Sequence, residues 1–170
     1  MKQKEIYSGR VIRLTLDQVE LPNGVICELE IVHHPGGSAV VAINDRQEVC
    51  LLEQYRHVTG GWLWELPAGK HEPGDTLIVT AKKELQEEAG VKAAHWQALG
   101  SVQSSPGVFT EVVHLYLAQG LTTITTAHET EEVINVHWIP LAEACAWALN
   151  GNLTDAKTII ALLRAQKYLM

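Results

Sequence analysis

Glu84, Glu87 and Glu88 stand at positions i, i+3 and i+4 of a run, Asp75 to Ala89, whose apolar residues recur with helical spacing. Setting Glu84 at the origin and turning ~100° per residue, Glu87 falls at about −60° and Glu88 at about +40°. The three acids therefore share one stripe. Ile78, Ala81, Leu85 and Ala89 fall between about 60° and 140° on the same wheel and make the core-facing stripe. Acids beside the core stripe, rather than opposite it, lie where the floor of a cleft would be. Neighbouring charges ~5–6 Å apart repel by roughly 3 kcal/mol at an effective dielectric of 20. The helix dipole also disfavours anions in the last turns. A divalent cation would reverse that sign, and hard carboxylate oxygens favour Mg²⁺ or Mn²⁺ over zinc. The rival is a solvated acidic face, which costs only a few tenths of a kcal/mol per pair. On the helix alone the two readings stand level.

The surrounding chain must hold this helix. Asp75 is the expected N-cap and Gly90 the residue just past the C-terminus. Strands are expected over 11–20 and 25–32, joined through Asn23-Gly24, a pair suited to the positive φ of tight hairpins. Further strands are expected over 38–44, 48–55, 62–66, 95–103, 111–119 and 133–139, with a loop around Gly69 and Pro73-Gly74. Helices near 141–149 and 154–168 close the chain. Strands mixed with helices predict an α/β fold with a mixed sheet at its centre.

Residues 69–91 resemble the Nudix box, G-x5-E-x7-R-E-U-x-E-E-x-G-U, where U is bulky and aliphatic. Gly69, Glu84, Leu85, Glu87, Glu88, Gly90 and Val91 match at the right spacing. Asp75 replaces the usual Glu, and Lys83 the usual Arg. Glu65-Leu-Pro-Ala-Gly-Lys70, Glu53-Gln-Tyr-Arg56 and Pro106, fifteen positions after Val91, look like the ADP-ribose pyrophosphatase branch. The resemblance covers nearly the whole chain.

It implies one Nudix domain over 1–170, an α/β/α sandwich with a central mixed sheet. An N-terminal β-hairpin region, about 1–35, would help form a homodimer. The implied reaction is hydrolysis of a nucleoside diphosphate sugar, with ADP-ribose giving AMP and ribose 5-phosphate. Glu84, Glu88 and the Ala68 carbonyl match metal ligands, with Glu87 as the third acid. Glu132 is the expected base from the 128–132 loop, ahead of Glu131 and Glu129. Arg56 matches a phosphate contact. Ser105, Pro106 and Glu111 would line the ribose or adenine side. Lys83 would orient the carboxylates, although a lysine cannot copy an arginine fork. Preference for GDP-mannose or a UDP-sugar, or binding of ADP-ribose without cleavage, are the alternatives.

Composition narrows the classes further. The chain has 170 residues, 46% of them apolar and 19% charged, which suits one domain with a sizeable core. A net charge of −7 argues against a broad grip on nucleic acid or an anionic membrane. Cys27, Cys50 and Cys145 are odd in number and widely spaced, which suggests reduced thiols in a cytoplasmic protein. No signal-type or membrane-spanning apolar run is apparent.

Overall fold

The computed structural model describes residues 2–125 and 133–169. It divides into two compact units, one of residues 1–36 with 103–112, the other of 37–102 with 113–170.

The first unit is a three-stranded antiparallel sheet of β1 (Gln3–Ser8), β2 (Arg13–Glu20) and β3 (Ile26–His33), in that order. The hairpin between β2 and β3 turns at Gly24, with φ of 81°. The Val25 N–H donates to Asn23 Oδ1 at 3.1 Å. β1 was not expected. Its residues are all exposed and alternate no apolar face. What holds it is pairing to β2, including Gln3 Nε2 donating to Asp17 Oδ2 at 2.8 Å.

The second unit carries two sheets. One is antiparallel, ordered β10 (Ile134–Pro140), β5 (Glu48–Arg56), β6 (Gly61–Glu65). The other is ordered β7 (Ala68–Lys70), β4 (Gly37–Ala42), β9 (Val112–Thr123), β8 (Val91–Gln103). It is mixed, because β4 runs parallel to β9 and antiparallel to β7. Among the described residues the α-helices are α1 (Leu77–Ala89), between β7 and β8, and α2 (Leu141–Asn150) and α3 (Ala156–Ala165), after β10.

Every residue of β4 is buried, so it shows no polar side. Its alternate side chains feed two cores, as the two-residue period of a strand requires. Ala39 and Val41 join Leu51, Leu115, Ala144 and Leu162, on the side of α2 and α3. Val40 and Ala42 join Leu52, Ala81, Leu85 and Ala89, on the side of α1. Helices on both sides of central strands are the expected α/β/α layering.

Several boundaries differ from expectation, among them the start of β8 at Val91 and the end of β9 at Thr123, and two differences bear on the acid helix. α1 begins at Leu77 with Thr76 as N-cap, not at Asp75. The Asp75 carboxylate is turned instead to Lys83 Nζ at 2.6 Å. Residues 68–70, read as loop, form strand β7 because Ala68 and Gly69 pair with Ala39 and Ser38. Gly37 permits this close approach: a Cβ there would sit 2.6 Å from the Gly69 carbonyl oxygen.

Candidate active site

The acid stripe of α1 becomes a gradient. Glu88, nearest the core stripe, is buried to 2% exposure, Glu84 is half-buried and Glu87 is exposed. Ala81, Leu85 and Ala89 are buried as the wheel requires, with Thr80 added. Gly90 closes the helix in the left-handed region at φ 65°, its N–H bonded to the Gln86 carbonyl at 3.1 Å.

Two of the carboxylates are turned to β7. Glu88 Oε2 accepts the Ala68 N–H at 2.8 Å. Glu84 lies across Gly69 so closely that a Cβ there would meet its Oε1 at 2.0 Å and its Cδ at 2.2 Å. The first glycine of the motif is therefore a steric requirement of Glu84, fifteen residues later. The charge of Glu88 is felt on β5. Burial, and then the charge of Glu88, push the Cys50 thiol up to about 12. Burial works against the Arg56 guanidinium, but Glu65 first and Glu88 after it hold its pKa above the ordinary value.

Arg56 lies at the end of β5, facing Glu65 on β6. Its Nε donates to Glu65 Oε1 at 2.6 Å and its Nη2 to Oε2 at 3.2 Å. Glu65 is 2% exposed. Burial alone would raise its pKa, yet the Arg56 hydrogen bond and the charges of Lys157 and Arg56 hold it below the usual carboxylate value. Lys157 of α3 bonds the same Oε2 and stands 3.0 Å from Asp155 Oδ2. The sequence reading passed over the roles of Glu65 and Lys157. An acid inside Trp-Leu-Trp-Glu-Leu, a run otherwise apolar, was the available signal, since a buried charge demands partners.

The two departures from the motif meet each other. Lys83 Nζ donates to Asp75 Oδ2 at 2.6 Å. Asp75, then the charges of Asp75 and Glu87, raise the Lys83 pKa despite some desolvation. Lys83 thus bridges the start of the helix and faces Glu87 electrostatically.

Ser105, Pro106 and Glu111 belong to the first unit. The Ser105 carbonyl accepts the N–H groups of Val108 and Phe109, so Pro106 sits at the head of an exposed turn. Glu111 Oε1 lies 3.3 Å from His34 Nδ1. Glu132, Glu131 and Glu129 lie outside the described residues. Trp64 packs on Trp147 and His137, at ring separations of 5.5 and 4.8 Å. Trp62 is 50% exposed and meets Tyr55 edge-on.

The donor set suits a hard divalent cation in its chemistry: two carboxylates and a backbone strand meet where helix and β7 touch. Among the described residues, however, no three His, Cys, Asp or Glu side chains converge on one point. Of the three acids of the stripe, Glu87 is the exposed one. Also among the described residues, no helix is long and apolar enough to cross a membrane.

Comparison with known proteins gives four further findings. A family model described as the NUDIX domain matches residues 33–162. A methanol dehydrogenase activator of Bacillus methanolicus is 40% identical over 164 residues, 95% of this chain and 89% of that protein. An ADP-ribose pyrophosphatase of Mycobacterium tuberculosis is 37% identical over 166 residues, 96% of this chain and 80% of that one. A solved structure described as an ADP compounds hydrolase shares the fold, with a TM-score of 0.85 at 20% identity, covering 99% of this chain and 92% of the other.

Proposed function

Because the chain belongs to the Nudix family, we propose that it hydrolyses the pyrophosphate bond of a nucleoside diphosphate sugar, with ADP-ribose giving AMP and ribose 5-phosphate. The observation that carries this is the pair Glu84 and Glu88, both turned from one face of α1 onto Ala68 and Gly69. Identity of 37% to an ADP-ribose pyrophosphatase over most of both chains favours that substrate.

In this reading Glu84, Glu88 and the Ala68 carbonyl hold a divalent cation, Mg²⁺ or Mn²⁺, and Glu87 completes the acid set. When bound, such an ion neutralises phosphate charge and lowers the pKa of a coordinated water. Arg56 binds a substrate phosphate. One edge of its guanidinium is fixed on Glu65, and Nη1 makes no hydrogen bond to a described residue. A side chain pinned on one edge can present the other without a further entropy cost. Glu132 serves as base. Ser105, Pro106 and Glu111 contact the ribose or base.

The N-terminal strands support a homodimer. Ile6, Tyr7, Val25 and Ile26 are 46%, 57%, 51% and 64% exposed, more apolar surface than a small sheet ordinarily leaves in water. Light scattering should give twice the chain mass, and Ile26→Asp should lower it. A monomer at micromolar concentration removes this part. The free thiols of Cys27, Cys50 and Cys145 agree with a cytoplasmic setting.

Binding without cleavage is the second reading. It is favoured by the exposed Glu87 and by the lack of three converging acids among the described residues. Product analysis decides: the protein is offered ADP-ribose, GDP-mannose and a UDP-sugar, with and without Mg²⁺. Metal-dependent release of AMP supports hydrolysis, and tight binding of intact ADP-ribose without release supports the sensor.

A further inference from the structure

The phosphate contact proposed above is a guanidinium whose setting depends on a residue far along the chain. Arg56 is joined to Glu65 through two hydrogen bonds, and Glu65 is joined in turn to Lys157 of α3. The Lys157 side chain is only 18% exposed and the Glu65 side chain 3%. This link is therefore largely shielded from water, where ionic hydrogen bonds keep their strength and their geometry.

The foot of α3 is built to hold Lys157 there. Asp155 caps the helix by accepting the Thr158 N–H at 3.0 Å, and it flanks Lys157 Nζ at 3.0 Å. Thr158 Oγ1 accepts the Leu66 N–H at 2.9 Å, a buried bond across the same junction. One turn of α3 thus grips both the side chain of Glu65 and the backbone of the next residue. Two positions further on begins Ala68–Gly69, on which Glu84 and Glu88 rest.

We infer that Lys157 is a positioning residue for substrate binding: by sharing the Glu65 carboxylate, it fixes the edge on which Arg56 is held and so the edge Arg56 presents to a phosphate. The reasoning concerns competition for one anion. With Lys157 present, Glu65 Oε2 serves two donors and Oε1 one. Without it, the buried carboxylate has Arg56 as its remaining partner in this group. The guanidinium is then drawn further onto Glu65 and away from the substrate. Burial makes that pull strong, because an undercompensated carboxylate out of water is costly. Lys157 itself need not touch the ligand. This inference rests on the reading of Arg56 as a phosphate contact.

The test is a double-mutant cycle on ADP-ribose affinity, measured by calorimetry without added metal, using the full chain. Lys157→Met should weaken binding by about tenfold, the order expected for one charge-assisted hydrogen bond. Lys157→Arg, which keeps the charge and the donors, should recover most of it. Arg56→Lys should weaken binding at least as much. In the Arg56→Lys background, Lys157→Met should add almost nothing. A merely structural lysine would give independent, additive losses and no recovery by arginine. Thermal melts separate misfolding from lost affinity. Should Lys157→Met not fold, Lys157→Gln enters the same cycle. Additive losses, or unchanged affinity in the folded lysine variants, would overturn the inference, as would wild-type protein that does not bind ADP-ribose. Hydrolysis is followed separately: binding with an intact cycle but no AMP release would reject the proposed reaction and leave Lys157 in its role.

Discussion

Glu65 and Glu88 are equally buried, each 2% exposed, and their surroundings differ. Glu65 ends β6 between Arg56 and Lys157, so its charge is matched by two cations at hydrogen-bonding distance. Glu88 accepts a backbone N–H, stands second to Glu65 in its pull on Arg56, and shares its helix face with Glu84 and Glu87. In the first setting, acid and base close on each other and fix geometry. In the second, acids accumulate along one stripe, an arrangement that gains most from an added cation. The lesson is that burial alone does not sort a glutamate into structure or chemistry. The signs of the charges around it do.

The comparison can be broken most severely at Glu88. Glu88→Gln keeps an acceptor for the Ala68 N–H and removes the charge. Metal-dependent hydrolysis of ADP-ribose should fall by more than about a hundredfold, with the thermal midpoint little changed. Equal turnover in the two proteins would place Glu88 with Glu65 as a structural acid. A smaller effect is expected at Gly69. An alanine Cβ would overlap the Glu84 carboxylate, the movable end of a flexible side chain. The fold should survive while Glu84 shifts, and the rate should drop on the order of tenfold to a hundredfold. Steady-state kinetics beside a melt would separate the two. If Gly69→Ala is as fast as wild type, the position of Glu84 does not matter to the reaction.

The smallest effect sharpens the Glu65 side. Its folded pKa lies below the ordinary 4.5, because Arg56 and Lys157 outweigh the burial that would raise it. A depressed carboxylate contributes stability that is fully present above its unfolded value. That contribution is lost as pH falls through the lower folded value. The midpoint of wild type should therefore exceed that of Glu65→Gln at neutral pH, and the gap should close in acid below about 4.5. A gap that is constant from neutral to strongly acid pH would mean that the charge of Glu65 does not stabilise the fold.

Much of this arrangement was legible in the residues, for identifiable reasons. The helical period alone put Glu88 next to Leu85 and Ala89, and its burial follows from that. Asn23-Gly24 announced its hairpin, although Gly24 alone of the pair takes the left-handed backbone. Other features came from pairing at long range, which local pattern does not carry. β1 has no apolar face and exists by its partner β2. β7 is three residues long and exists by its partner β4. The N-cap moved from Asp75 to Thr76 because a lysine eight residues away bonds the Asp75 carboxylate. Lys157 reaches Glu65 across 92 positions, a distance no motif spans. The layering of helices about central strands, by contrast, follows from strands apolar on both sides.

The central claim is that the acid stripe of α1 holds a divalent cation. Titration of Mn²⁺, with the free ion followed by electron paramagnetic resonance, tests it most directly when wild type is compared with Glu84→Gln/Glu88→Gln. Wild type should deplete the free-ion signal, and the folded double variant should leave it at the level of buffer. Equal depletion by both proteins, or none by wild type at millimolar Mn²⁺, would contradict the claim.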